Sequence, residues 1–133
     1  MREFTIYHNP RCSKSRQALQ ILRDRGIEPN IVEYLKIPLQ KDELKKISTS
    51  LGLRTKEFVR KNESDFKEKS LANHLENDDE MIEAMAAYPK IIERPIVILK
   101  GKAIIGRPPE NVLKLIYLTN FIVYIYIYKV YSP

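Results

Sequence analysis

Apolar and polar residues alternate from Glu3 to His8, with Phe4, Ile6 and Tyr7 carrying the apolar side. A period of two predicts a first strand. Asn9-Pro10-Arg11 is a turn signal that ends it. The period then changes. Between Ser13 and Arg25, Ala18, Leu19 and Leu22 recur at helical spacing, and Gly26 fits a C-terminal cap. Ile31, Val32, Tyr34 and Leu35 predict a second strand that stops at Pro38.

Residues 41–51 read as a helix with Leu44, Ile47 and Leu51 on one face, closed by Gly52. Thr55 is a candidate cap for a short helix through Arg60. Residues 65–75 are polar and divide between helix and loop. Residues 78–88 form a clear helix, with acids in its first turn where the helix dipole favours them and Pro89 at its end. Residues 95–99 are an apolar strand, Lys100-Gly101-Lys102 a turn, and residues 103–105 the returning strand of a hairpin. Pro108 and Pro109 open a last helix that runs to Ile116.

The order is strand, helix, strand, several helices, hairpin, helix. A βαβ unit followed by a ββα unit predicts an α/β fold with a thioredoxin-like mixed sheet, and the helices between residues 40 and 88 are an insertion between the two units. One domain is expected over residues 1–116. The remainder, residues 117–133, differs sharply: it carries no acid, one lysine and five of the eight tyrosines. Its apolar block, FIVYIYIY, spans eight residues, against the ~20 a membrane-crossing helix needs. Three readings of this tail stand: an extra strand, a partner-binding segment, or a non-native extension without selected function. The break in composition favours the last.

Composition narrows the class. Of 133 residues, 44% are hydrophobic and 30% charged, which describes a folded protein able to bury a core without metals or disulfides. The formal charge of +6 is spread among interleaved acids, as in KDELKK and KNESDFKEK. No nucleic-acid motif accompanies it, so neither nucleic acid nor membrane is expected as a partner. The single cysteine excludes an intramolecular disulfide and suits a reducing compartment. With no apolar run for a signal peptide at MREFTIYHNP, a cytoplasmic location is expected. One cysteine and two histidines without metal-like spacing make no zinc site.

That cysteine, Cys12, falls between the first strand and the first helix. The leading N–H groups of a helix lack intrahelical partners and carry partial positive charge. Both favour thiolate, the nucleophilic form. Arg11, Lys14 and Arg16 add cations, and Ser15 is placed to donate a hydroxyl hydrogen to the sulfur. The spacing is Cys-x-x-Ser, so an oxidised intermediate on Cys12 must be resolved by an external thiol.

His8-Asn9-Pro10-Arg11-Cys12-Ser13-Lys14-Ser15-Arg16 resembles the active-site loop of the glutaredoxin-coupled arsenate reductase family. The likeness continues in Phe58-Val59-Arg60-Lys61-Asn62, Glu93-Arg94-Pro95-Ile96-Val97 and Ile105-Gly106-Arg107-Pro108. It implies a thioredoxin-like oxidoreductase that reduces arsenate to arsenite through a thioarsenate on Cys12. Arg60, Arg94 and Arg107 would hold the oxyanion. His8, Asn9 and Ser15 would support the site, and Arg94-Pro95 would form a cis-proline turn facing the cysteine. No bound cofactor is implied. Glutathione would be the reducing co-substrate and glutaredoxin the protein partner.

Guanidinium groups suit the task, since their planar forks of donors match tetrahedral oxyanions. Two other readings stand beside this one: a general glutaredoxin-like thiol oxidoreductase acting on another oxyanion or a mixed disulfide, and a redox-sensing regulator that binds RNA polymerase. The latter usually relies on Cys-x-x-Cys, and Ser15 holds the second position here.

Overall fold

The computed structural model describes residues 3–118 and Lys129. Four strands form one mixed sheet: β1 (Phe4–Tyr7), β2 (Asn30–Val32), β3 (Ile96–Leu99) and β4 (Lys102–Ile105), in the order β2-β1-β3-β4. β1 runs parallel to β2, with Ile6 opposite Ile31, and antiparallel to β3, with Ile6 opposite Val97. β3 and β4 form the expected hairpin, with Val97 opposite Ile104. The predicted βαβ and ββα units therefore join at the β1–β3 pair, and the thioredoxin-like sheet is the one read from the element order.

Strand alternation sends side chains to opposite faces, and each face has its own core. Phe4, Ile6, Val97 and Leu99 pack with Ala18, Leu19 and Leu22 of α1 (Ser13–Asp24) and with Val112, Leu115 and Ile116 of the last helix, α5 (residues 112–118). Tyr7 and Ile96 point the other way. They meet Leu44 and Ile47 of α2 (Lys41–Leu51), Phe66 of α3 (Ser64–Glu68), and Met81, Ile82 and Met85 of α4 (Asp78–Ala87). The insertion is thus the second helical layer. α4 begins where predicted, and its cap is Asn77, whose side-chain oxygen accepts the Glu80 N–H at 3.0 Å. α2 ends at Gly52 in the left-handed region, φ +66°, a conformation glycine adopts without a Cβ penalty.

Three local expectations need correction. β2 ends at Val32, and Tyr34 and Leu35 lie in the turn after it. Tyr34 is only 1% exposed: it is buried by the insertion and not by strand pairing. The Thr55 helix is one 3₁₀ turn, Thr55–Glu57, with Arg54 at its N-cap. Thr55 instead donates its hydroxyl to Asp78 Oδ1 at 2.8 Å, tying that turn to α4. Arg60 is not helical. Val59 forms an isolated antiparallel bridge with Ile92, and the Arg60 N–H donates to the Ile91 carbonyl at 2.6 Å. This extended pairing lays Arg60 beside the segment that carries Arg94. Pro109–Asn111 form a 3₁₀ turn before α5, which continues to residue 118. Apart from Lys129, the tail from residue 119 lies outside the described residues. Among the described residues no helix is long and apolar enough to cross a membrane.

Candidate active site

The loop between β1 and α1 is built by its own residues. The Cys12 N–H donates to the Asn9 carbonyl at 3.0 Å, closing a four-residue turn with Pro10 in its second position. Asn9 Oδ1 accepts the Arg11 N–H at 3.0 Å, the local bond for which asparagine is favoured in turns. Arg16 donates to the Pro10 carbonyl at 2.9 Å and braces the loop from the helix side. Cys12 is the N-cap of α1, with extended backbone angles and no side-chain capping bond. No acid lies in the first turn of α1 to offset its positive end. The thiol is free and partly exposed.

Ser15 does not serve the sulfur. It is fully buried on the inner face of α1 with Ala18 and Leu19, which turns it toward the end of β1. Its Oγ lies 2.6 Å from His8 Nδ1 and accepts the Asn9 N–H at 3.1 Å. His8 is itself 6% exposed, and burial pushes its pKa below the usual histidine value against the pull of Glu33. His8, Asn9 and Ser15 thus form one polar knot under the loop, with His8 and Ser15 buried and Asn9 half-buried.

Of the three predicted arginines, Arg107 touches the thiol: its Nη1 lies 3.9 Å from Cys12 Sγ. Arg60 and Arg107 share a carboxylate, with Glu93 Oε1 3.8 Å from Arg60 Nε and 3.7 Å from Arg107 Nε. Arg60 also pairs with Glu63 through Nη1. Arg94 lines a cleft of about 260 Å³ together with Arg60, Asn9, Arg11 and Tyr34. Its Nε and Nη1 are buried and, among the described residues, lack a hydrogen-bond partner. Such orphaned donors are rare in folded proteins and call for an acceptor. Arg107 and Glu93 line a separate depression of about 390 Å³. Arg94–Pro95 is a cis peptide, as the resemblance implied, and so is Arg107–Pro108.

The ArsC family model matches residues 7–115, which takes in this loop and all three arginines. The chain belongs to the ArsC family. It is 45% identical to the arsenate reductase of Neisseria meningitidis over 113 residues, covering 84% of this chain and 97% of that one. It is 44% identical to the uncharacterized protein YfgD of Escherichia coli K12 over 116 residues, 86% of this chain and 98% of that one. The solved arsenate reductase of Vibrio cholerae superposes with a TM-score of 0.81 at 45% identity, over 84% of this chain and 95% of its own.

Two residues of this ArsC chain were not singled out in the sequence. Tyr34 borders the arginine cleft, and burial pushes its hydroxyl pKa upward, with the nearby Cys12 adding to the effect. Glu93 sits inside the arginine cluster, and burial raises its carboxyl pKa despite the opposing pull of Arg107 and Arg60. Tyr34 looked like a strand residue. Glu93 stood within the quoted Glu-Arg-Pro block, but a carboxylate beside an arginine there reads as an ordinary ion pair.

Proposed function

We propose that this chain is an arsenate reductase that works through a covalent thioarsenate on Cys12, with glutathione and glutaredoxin supplying the electrons. The observation that carries the reading is a lone thiol at a helix N-cap with a guanidinium nitrogen 3.9 Å from its sulfur. The orphaned Arg94 donors and the family relationship support it.

In this scheme Arg60, Arg94 and Arg107 hold arsenate and lower the repulsion between anionic sulfur and anionic substrate. The Cys12 thiolate attacks arsenic; with one proton, an oxygen leaves as water and an S–As bond remains. Glutathione then attacks the Cys12 sulfur, its thiol proton passing to an oxygen of the arsenic group. The S–As bond breaks, its electron pair stays on arsenic, and arsenic leaves in the trivalent state as arsenite. The two sulfurs have each been oxidised by one electron and share a disulfide. Glutaredoxin removes the glutathionyl group by thiol exchange and restores Cys12. Since Cys12 is the sole cysteine, no internal thiol can take that last step.

Arsenate-dependent oxidation of glutathione in the presence of glutaredoxin tests the reading. Cys12→Ser abolishes turnover. Arg107→Ala lowers it by about 10²–10³-fold, the usual effect of losing one donor to a developing anion. Undiminished turnover in Cys12→Ser rules the scheme out.

A further inference from the structure

A site built only to attract anions has no use for a carboxylate, yet Glu93 Oε1 lies within 3.8 Å of the Nε atoms of both Arg60 and Arg107. These are long contacts for charged partners, which close to about 2.7–2.9 Å when they hydrogen-bond well. Arg60 meets its closer acceptor in Glu63. Glu93 Oε1 also accepts the Arg94 backbone N–H at 3.3 Å. The carboxylate is therefore fixed by the main chain of the neighbouring arginine and stands among the guanidiniums without saturating them. An oxyanion bridging the Nε edges of Arg60 and Arg107 would meet this carboxylate.

We propose that Glu93 is the specificity-determining residue of this anion site, selecting oxyanions that retain a hydroxyl, such as arsenate and phosphate, over fully deprotonated ones such as sulfate. The proposal rests on the reading of the arginines as an anion site. A carboxylate is an acceptor only. Toward an As–OH or P–OH group it completes a charge-assisted hydrogen bond. Toward sulfate it presents a like charge at hydrogen-bonding distance with no proton between, a repulsive element that specificity commonly requires. A polar group that needs a substrate hydroxyl rejects analogues lacking it far more strongly than an apolar wall can. The hydroxyl facing Glu93 would also be oriented within the site, which fits arsenate losing one oxygen as water.

The sole cysteine makes the test direct. Each anion is titrated as a protectant of Cys12 against iodoacetamide at about pH 8, where arsenate and phosphate keep a hydroxyl and sulfate does not. Alkylation is read by mass. Wild type should need at least ~100-fold more sulfate than phosphate, which keeps a hydroxyl and does not bond to Cys12, for equal protection. Glu93→Gln should narrow that ratio to ~10-fold or less, and Glu93→Asp should keep it largely intact. If Glu93 only holds the guanidiniums in place, Glu93→Gln weakens every anion in parallel and the ratio does not move, which overturns the proposal. Equal protection by sulfate and phosphate in wild type overturns it too, as does protection by no anion. The reductase reading fails separately: a wild type protected by arsenate that oxidises no glutathione loses that activity assignment and leaves the Glu93 result standing.

Discussion

Replacing Gly106 with alanine should weaken the fold and displace the arginine that touches Cys12. A Cβ placed there falls 2.8 Å from Pro95 Cγ, 3.3 Å from Val112 Cγ1 and 3.4 Å from Ala18 Cβ. Carbon atoms pack at about 3.5–4.0 Å, so the nearest pair must open by at least ~0.7 Å. None of the three neighbours yields easily. Pro95 is a ring whose own carbonyl accepts the Gly106 N–H at 2.8 Å. Ala18 and Val112 are fully buried on α1 and α5. Overpacking of this kind costs about 1–3 kcal/mol. At about 2.1 cal/mol/K of unfolding entropy per residue, each kcal/mol moves the melting temperature of a 133-residue chain by roughly 3–4 °C, so a fall of about 3–12 °C is expected. Urea unfolding gives the free energy directly, and iodoacetamide reactivity of Cys12 reports whether Arg107 has moved, since Arg107 is the next residue. A variant within about 0.5 kcal/mol of wild type would refute the steric argument.

Three further outcomes follow from local geometry. Ser15→Ala leaves His8 Nδ1 and the Asn9 N–H without their buried partner and should cost about 1–3 kcal/mol in urea unfolding; a neutral result would mean the knot is replaceable by water. Because the folded pKa of His8 lies below its unfolded value of about 6.5, the unfolded chain takes up the proton first as the pH falls. Stability tied to His8 is complete above that value and declines below it. Proton NMR should show the ring titrating at lower pH than a free histidine, and the matching slope in unfolding free energy should vanish in His8→Asn. Lys100 holds φ +47° in the hairpin turn, a region costly for a lysine. Lys100→Asn should add about 0.5–1 kcal/mol, the lost exposed pair with Glu3 offsetting little of it; an unchanged urea midpoint would contradict this.

Much of this protein is legible in its sequence because much of it is local. The alternation Phe4, Ile6 and the helical spacing Ala18, Leu19, Leu22 name the two surfaces that pack into one core. Asn9 and Pro10 close the loop with their own backbone and side-chain bonds, so Cys12 arrives at a helix N-cap without help from distant residues. The hairpin and α4 carry their turn and cap in a few adjacent residues. The reading failed where a residue answers to a partner far along the chain. Ser15 looked toward the sulfur three residues away, but the burial of α1 turned it onto His8. Arg60 closes an expected short helix, but the pairing of Val59 with Ile92 holds it in extended chain. Tyr34 is buried without a strand around it. Glu93 acquired meaning only once arginines from two separate segments closed on it. Hydrophobic periodicity and turn chemistry act over a few residues and survive in a linear string. Distances between charges, and the shape left for a methyl group at Gly106, exist only after the layers have packed.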